Sequence, residues 1–216
     1  MTMKEQLDAI RAPRKTTFAK AALATCGMLI LGICLGAFSK WLDDLAFDGT
    51  VWWHAPIEAL DLGNFFSDFA IWLLLAMLIA VFSASALRAA VNVFAFFAGM
   101  CAAYHWYTLQ VSGFDPASYM MIWYGLTLAS PFLAMVCWYA RGNGPVAIIL
   151  DIGIIAVFSL CCFSMGVLYF DGRGILYTLV FIAAVAALYR NPKQLLISVP
   201  AGILLAFLVS PMWPLR

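Results

Sequence analysis

Seven stretches of apolar residues, separated by charged residues, run through the sequence and limit what the chain can fold into. A helix that crosses the hydrocarbon of a bilayer needs about 20 predominantly apolar residues, and most of these stretches have that length. They cover residues 21–39, 69–87, 89–110, 118–140, 146–170, 174–189 and 195–213. The sequence therefore predicts an all-α fold, a polytopic membrane helix bundle of about seven transmembrane helices.

The composition excludes a soluble globular domain. Of the 216 residues, 65% are hydrophobic and 11% are charged, whereas soluble domains typically carry about 25% charged residues. The net charge of +1 provides no basic field for nucleic acid, so we expect no such partner. Six cysteines lie inside apolar stretches without histidines at metal-ligand spacing, so we predict neither a metal site nor a cofactor: Cys26, Cys34, Cys101, Cys137, Cys161 and Cys162.

The charged residues are distributed asymmetrically between the two sets of loops. One set carries most of the cations: Lys4, Arg11, Arg14, Lys15, Lys20, Arg88, Arg141, Arg190 and Lys193. The other set has Lys40, Arg173 and Arg216 together with most of the acids: Asp43, Asp44, Asp48, Glu58, Asp61, Asp68, Asp115 and Asp171. The positive-inside rule then predicts a multi-pass protein with its N-terminus in the cytoplasm and its C-terminus outside. If the short stretch 174–189 re-enters instead of crossing, the C-terminus lies inside.

Two segments outside the apolar stretches complete the predicted organisation. Residues 1–20 form a basic tail in which Met3, Leu7 and Ile10 recur at helical spacing. This tail is either an interfacial amphipathic helix or a solvated segment. Residues 40–68 form an extracytoplasmic loop, which either lies on the membrane surface or folds over the bundle as a lid. Residues 21–213 are predicted to form a single transmembrane bundle.

Aromatic and polar side chains concentrate at the predicted outer ends of the helices. Aromatic walls with a few hydrogen-bonding groups suit a small organic ligand. The competing interpretation is an aromatic belt of the kind that anchors membrane proteins at the water boundary. The candidate ligand-binding residues are Trp41, Asp43, Tyr104, His105, Tyr119, Trp123 and Tyr169.

Two ionisable residues lie inside predicted spans, where they are costly unless they have partners. His105 could bind a ligand, take up a proton or donate a hydrogen bond to a neighbouring helix. Asp151 either forms an ion pair with Arg88, Arg141 or Arg190, or it takes part in proton coupling.

Gly32 and Gly36 are four residues apart in the first apolar stretch. They place two positions without side chains on one helix face, where a second helix backbone can approach closely. We predict that this face serves helix packing, and it is also where a membrane partner subunit would dock.

Several motifs are spread along the chain: LGICLGAFSKWLD at 31–43, FAIW at 69–72, residues 118–123, SPF at 130–132, CWYA at 137–140 and YRNPKQ at 189–194. Together they resemble those of a family of small uncharacterised prokaryotic integral membrane proteins, and this resemblance implies a prokaryotic inner membrane. The chain also resembles, more loosely, the S components of energy-coupling-factor vitamin transporters. That resemblance implies that Gly32 and Gly36 face a partner, and that Trp41, Trp123 and the end of the third span surround the substrate. Those proteins usually have six spans with both termini inside, whereas seven are predicted here.

These patterns lead to three hypotheses about function. The first is a transport or solute-binding protein for a small organic solute, with an aromatic-lined, outward-facing pocket. The alternative is a non-transporting interaction subunit or assembly factor. A membrane-embedded enzyme comes third, because the sequence contains no Gly-x-Ser-x-Gly elbow, His-Glu-x-x-His motif or phosphate-binding glycine loop.

Overall fold

The computed structural model describes residues 2–46, 51–166 and 169–212. It is all-α and 80% helical. In chain order, the helices are α1 (Met3–Ile10), α2 (Phe18–Asp43), α3 (His54–Ala59), α4 (Leu62–Ser67), α5 (Phe69–Phe82), α6 (Ala86–Tyr107), α7 (Ala117–Ala140), α8 (Gly144–Cys162), α9 (Ile175–Leu188) and α10 (Pro192–Val209). A π-helical turn (Thr108–Ser112) extends α6, and a 3₁₀ turn (Ser210–Met212) extends α10. Asp48, Trp213 and Arg216, to which the sequence predictions refer, lie outside the described residues.

Each predicted apolar stretch contains a helix, but these helices fall into two length classes. Five are long and apolar enough to cross a membrane, namely α2, α6 with its π-helical turn, α7, α8 and α10 with its 3₁₀ turn. They indicate a membrane-embedded protein. Helices α5 and α9 have 14 residues each, which at 1.5 Å per residue gives about 21 Å. That length is shorter than the hydrocarbon thickness of about 30 Å.

The predicted helical stretch 146–170 was too long. Helix α8 ends at Cys162, and the chain then forms an antiparallel hairpin of β1 (Phe163–Gly166) and β2 (Tyr169–Gly172). A glycine stands in each strand, and a β-carbon at Gly166 would collide with the ring of Tyr169. Arg173 follows the hairpin and donates a hydrogen bond to the Cys161 carbonyl at 2.8 Å. The helix can therefore end here, because a side chain binds one of its last free carbonyl groups.

The helices that form the bundle alternate in direction, so the short connections collect at one end. Trp138 near the end of α7 donates to the Ser83 carbonyl at the end of α5, at 3.0 Å. Arg190, between α9 and α10, donates to the Gly142 carbonyl, between α7 and α8. Arg88 at the start of α6 donates to the Ala21 carbonyl at the start of α2. We call this end the basic face, since it carries Lys4, Arg11, Arg14, Lys15, Lys20, Arg88, Arg141, Arg190 and Lys193.

Helix α1 packs against the basic face. A reciprocal capping box between Thr2 and Glu5 begins the helix. At its other end Arg11 donates to the carbonyl groups of Trp138 at 2.6 Å and Val81 at 2.8 Å. These carbonyls lie at the negative ends of the α7 and α5 dipoles, where a cation is stabilised. Burial, together with repulsion from Arg141 and Arg14, lowers the pKa of Arg11 to about 10.

Helices α2 and α6 form the most extensive helix pair, because glycines let their backbones touch. A β-carbon at Gly32 would overlap the carbonyl oxygen of Phe96, and one at Gly36 would overlap that of Met100. On the opposite side, a β-carbon at Gly99 would lie 2.5 Å from the Leu29 carbonyl oxygen. The small-residue face predicted on the first span therefore contacts α6 of the same chain.

This contact predicts different outcomes for two glycines of the same helix. Gly32→Leu should lower the melting temperature in detergent by at least about 5 °C, because the new side chain must separate two backbones. Gly27→Leu is the matched control, since no atom lies within 4 Å of a β-carbon at Gly27. Thermal unfolding followed by size-exclusion chromatography measures both. Equal melting temperatures for the two variants would contradict the proposed packing.

Candidate functional site

Most of the carboxylates lie at the end of the bundle opposite the basic face. We call this end the acidic face, and within the described ranges its charged residues are Asp43, Asp44, Glu58, Asp61, Asp68, Asp115, Asp171, Lys40 and Arg173. Both cations are already engaged: Lys40 pairs with Asp44 at 2.5 Å, and Arg173 pairs with Asp68. The acidic face therefore has a negative field, which favours cationic partners.

Four of the predicted ligand-binding residues form one tightly packed cluster. Tyr104 donates to Asp43 at 2.8 Å, and its ring lies 5.9 Å from that of Tyr119. Trp123 is 5% exposed and stacks on Phe69 with ring centroids 4.8 Å apart. The space left between these rings is about 10 Å³, which is about the volume that one water molecule needs. This aromatic cluster fills the junction of α5, α6 and α7 and leaves no room for an organic solute.

The structure places the other three predicted residues elsewhere. Trp41 lies beside Trp53 of the loop, with ring centroids 5.9 Å apart. His105 points to the Tyr124 hydroxyl at 2.5 Å and lies 3.5 Å from a carboxylate oxygen of Asp115. Tyr169 stands on β2, where it lines a separate cavity.

That cavity is an open cleft of about 860 Å³ at the acidic face. Small-molecule sites typically measure about 300–1,000 Å³, so the cleft is large enough for an organic solute. The walls are α4 on one side, the hairpin and the end of α8 on another, and the beginning of α9. The lining residues with polar side chains are Asp61, Asn64, Ser67, Asp68, Ser164, Tyr169, Arg173, Tyr177 and Ser210.

A network of three side chains joins two sides of this cleft. Arg173 forms an ion pair with Asp68, and its guanidinium lies 4.6 Å from the centroid of the Tyr177 ring. Tyr177 also donates to Asp68 at 3.2 Å. Asp68 precedes α5, and Arg173 and Tyr177 flank the start of α9. The network therefore connects the starts of the two short helices and presents fixed charges to the cleft.

The shortness of α5 and α9 explains why the cleft is deep. Both helices end at the basic face with the others, and each is about 9 Å shorter than the hydrocarbon thickness. Their opposite ends, at Phe69 and Ile175, therefore begin below the acidic rim of the longer helices. Helix α4 covers part of the resulting depression, anchored by Phe65, which is 6% exposed and contacts the Tyr177 ring edge-on at 5.3 Å.

Asp61, on the α4 wall, has an unusual backbone conformation. Its φ of 50° is the one positive value among the described residues other than glycine. Such a conformation costs about 1 kcal/mol or more for an L-residue and often marks a binding site. Asn64 donates to both carboxylate oxygens, at 2.9 and 3.0 Å. The carboxylate of Asp61 is thus held in a defined position at the edge of the cleft.

A second carboxylate of the acidic face, Asp44, ties α2 to the end of α6. Burial alone would raise the pKa of Asp44, but hydrogen bonds from Lys40 and Ser112 and the charge of Lys40 outweigh burial and lower it. Asp44 Oδ1 lies 2.5 Å from Lys40 Nζ, and Asp44 Oδ2 lies 2.5 Å from Ser112 Oγ. Asp44 therefore stays ionised at neutral pH and holds this side of the face together.

Asp151 lies far from the cleft, near the basic face. It is 0% exposed and forms an ion pair with Arg190, which is one of its three partners predicted from the sequence. Gln194 donates to the same carboxylate oxygen at 2.7 Å. The other oxygen, Oδ1, has no hydrogen-bond partner among the described residues. Arg88 instead binds the Ala21 carbonyl and Thr25, so it is not the partner of Asp151.

No protein-family model, curated protein or solved structure matches this chain. Within the described ranges, no three His, Cys, Asp or Glu side chains come close enough to hold a metal ion.

The Asp68–Arg173 pair generates a prediction about stability. Arg173→Met should destabilise the protein more than Asp68→Asn, because Arg173 also binds the end of α8. The double variant should lose less free energy of unfolding than the two single variants lose in total. The difference, which is the coupling energy of the pair, should be about 1 kcal/mol. Thermal unfolding in detergent provides the comparison, with the exposed Lys15→Met as the control. If the stability losses of the two single variants add up to the loss of the double variant, the two side chains are not coupled.

Proposed function

We propose that this chain is a multi-pass membrane protein that binds a small organic solute in the cleft of the acidic face, for transport or capture. The observation that carries this proposal is a cleft of about 860 Å³ whose lining includes the Asp68–Arg173–Tyr177 network. The proposed site replaces the aromatic-lined pocket expected from the sequence. Of the residues predicted there, Tyr169 is the one that lines the cleft.

The proposed orientation places the acidic face outside a prokaryotic inner membrane and the N-terminus in the cytoplasm. The positive-inside rule supports it, since nine of the cations lie at the basic face. We also propose that all seven apolar helices cross the bilayer. Helix α5 contacts α4, α6, α7, α8 and α9, so protein surrounds it and it does not need to match the full hydrocarbon thickness. With seven crossings, the chain ends on the outside.

The charges around the cleft favour a solute that carries an amine. Asp61 lines the cleft and has no cation paired with it in the described structure, while Arg173 is already paired with Asp68. Tyr169 supplies an aromatic ring that can attract a cation, whereas the Tyr177 ring already faces Arg173. Leu160 and Phe163 line the same cleft and suit an apolar portion of the solute.

The alternative from the sequence, an interaction subunit that docks through Gly32 and Gly36, ranks second. Both glycines are buried against α6. A partner could use that face only by displacing α6. Co-purification of a stoichiometric partner that is lost in Gly36→Leu, with the fold of the variant intact, would favour this alternative.

The proposed orientation is testable by cysteine labelling. Lys4→Cys and Glu58→Cys, each made in a Cys26→Ala/Cys34→Ala background, place a thiol at opposite faces. A membrane-impermeant maleimide added to intact spheroplasts should label position 58 and not position 4. Both should be labelled after the membrane is permeabilised. Labelling of position 4 in intact spheroplasts would reverse the assignment.

Solute binding is testable with a variant that fills the cleft. Small amines and amino acids should raise the melting temperature in detergent, whereas neutral sugars should not. The shift should disappear in Ser164→Trp, because the indole occupies the cleft. Gln110→Trp is the matched control, at an exposed site away from the cleft. A panel without any stabilising solute, or an equal shift in both Trp variants, would contradict the proposal.

A further inference from the structure

A second cavity, at the opposite end of the bundle from the cleft, has a quite different lining. It is a groove of about 470 Å³ between α9 and α10, open to the surroundings of the bundle. The side chains that form it are apolar apart from one tyrosine hydroxyl, and they include Phe181, Val185, Tyr189, Leu195, Val199 and Pro200. The groove is thus a surface for hydrocarbon and not for a polar solute.

The groove exists because α9 and α10 both pack on α8 and barely touch each other in the described structure. Gly202 brings α10 close to α8, since a β-carbon there would lie 2.6 Å from a methyl carbon of Ile155. Gln194 and Ser198 also turn toward α8, and Gln194 binds Asp151. Helix α9 instead buries Val180 and Ala184 in the core beside α5. The space between the two helices therefore stays unfilled by the protein.

The length and volume of the groove favour a narrow occupant. The eight residues of α9 from Phe181 to its end at Leu188 cover about 12 Å along the groove and end at the basic face. A helix about 10 Å wide would occupy roughly 900 Å³ over that length, about twice the volume of the groove. A flexible acyl chain is narrower and can follow the groove from the membrane boundary inward.

Positive charge near the basic end of the groove favours a lipid whose headgroup is anionic. Lys193 is exposed in the first turn of α10, and Leu196 of the lining follows three residues later on the same helix face. The amino-terminal end of α10, beginning at Pro192, adds the positive end of a helix dipole. The surrounding basic face carries most of the cations of the chain. Basic sites between helices at this membrane boundary bind anionic headgroups.

We propose that the groove between α9 and α10 binds an anionic phospholipid, with an acyl chain along Val185 and Val199 and the phosphate at Lys193. The site is independent of the solute cleft, since the two lie at opposite ends of the bundle.

Native mass spectrometry of the detergent-solubilised protein, with phosphatidylglycerol or phosphatidylcholine added, tests this proposal. The native chain should bind phosphatidylglycerol more tightly. Lys193→Gln should weaken that binding about fivefold, the loss of one lysine–headgroup interaction of about 1 kcal/mol, and leave phosphatidylcholine binding unchanged. Lys15→Gln, an exposed lysine elsewhere on the basic face, should leave both unchanged.

Val185→Trp should reduce the binding of both lipids by filling the groove, whereas Leu179→Trp, an exposed position of α9 outside the groove, should not. If Val185→Trp does not fold, the two lysine variants still decide the question. Equal affinity of the native chain for the two lipids, or equal losses in Lys193→Gln and Lys15→Gln, would overturn the proposal. So would a native dimer that Val185→Trp converts to a monomer, since a second copy would then occupy the groove.

Discussion

The last carbonyl groups of a helix have no partner within the helix, and they must find one elsewhere wherever water is excluded. Arginine side chains bind several of these groups here. Arg11 binds carbonyls near the ends of α5 and α7, Arg190 binds the turn after α7, and Arg173 binds the end of α8. Each arginine also connects separate elements. Arg11 fixes α1 to the bundle, Arg190 holds Asp151, and Arg173 sets the floor of the cleft. The two faces of the bundle depend on these bonds.

Helix length determines where the bundle is open. At the junction of α5, α6 and α7, the rings of Tyr104, Tyr119 and Trp123 fill the space almost completely, and they hold the longer helices together. The cleft opens where α5 and α9 begin below the rim, with Asp68 and Arg173 at its floor. The bundle is therefore tightly packed at the junction of α5, α6 and α7, and it has an open, charged cleft beside α5 and α9.

The segregation of charge gives the two ends of the bundle different chemistry. The acidic face combines carboxylates with tyrosines around an open cleft, which favours an amine-bearing solute. The basic face combines Lys193 with the apolar groove between α9 and α10, which favours an anionic lipid. Helix α9 borders both sites, the cleft near its start and the groove near its end.

The sequence by itself determined the helices and their charges, because hydrophobicity and the length of an apolar stretch are local properties. It predicted a helix in all seven stretches, a close helix approach at Gly32 and Gly36, and the separation of acids from bases. Only the tertiary structure decided that α6 is the partner of these glycines, that Arg190 is the partner of Asp151, and that the chain turns into a hairpin after Cys162. It also decided which side chains surround a cavity. Asp68 and Arg173 are far apart in the chain, and the space between them depends on how several helices of unequal length pack, which no local pattern encodes.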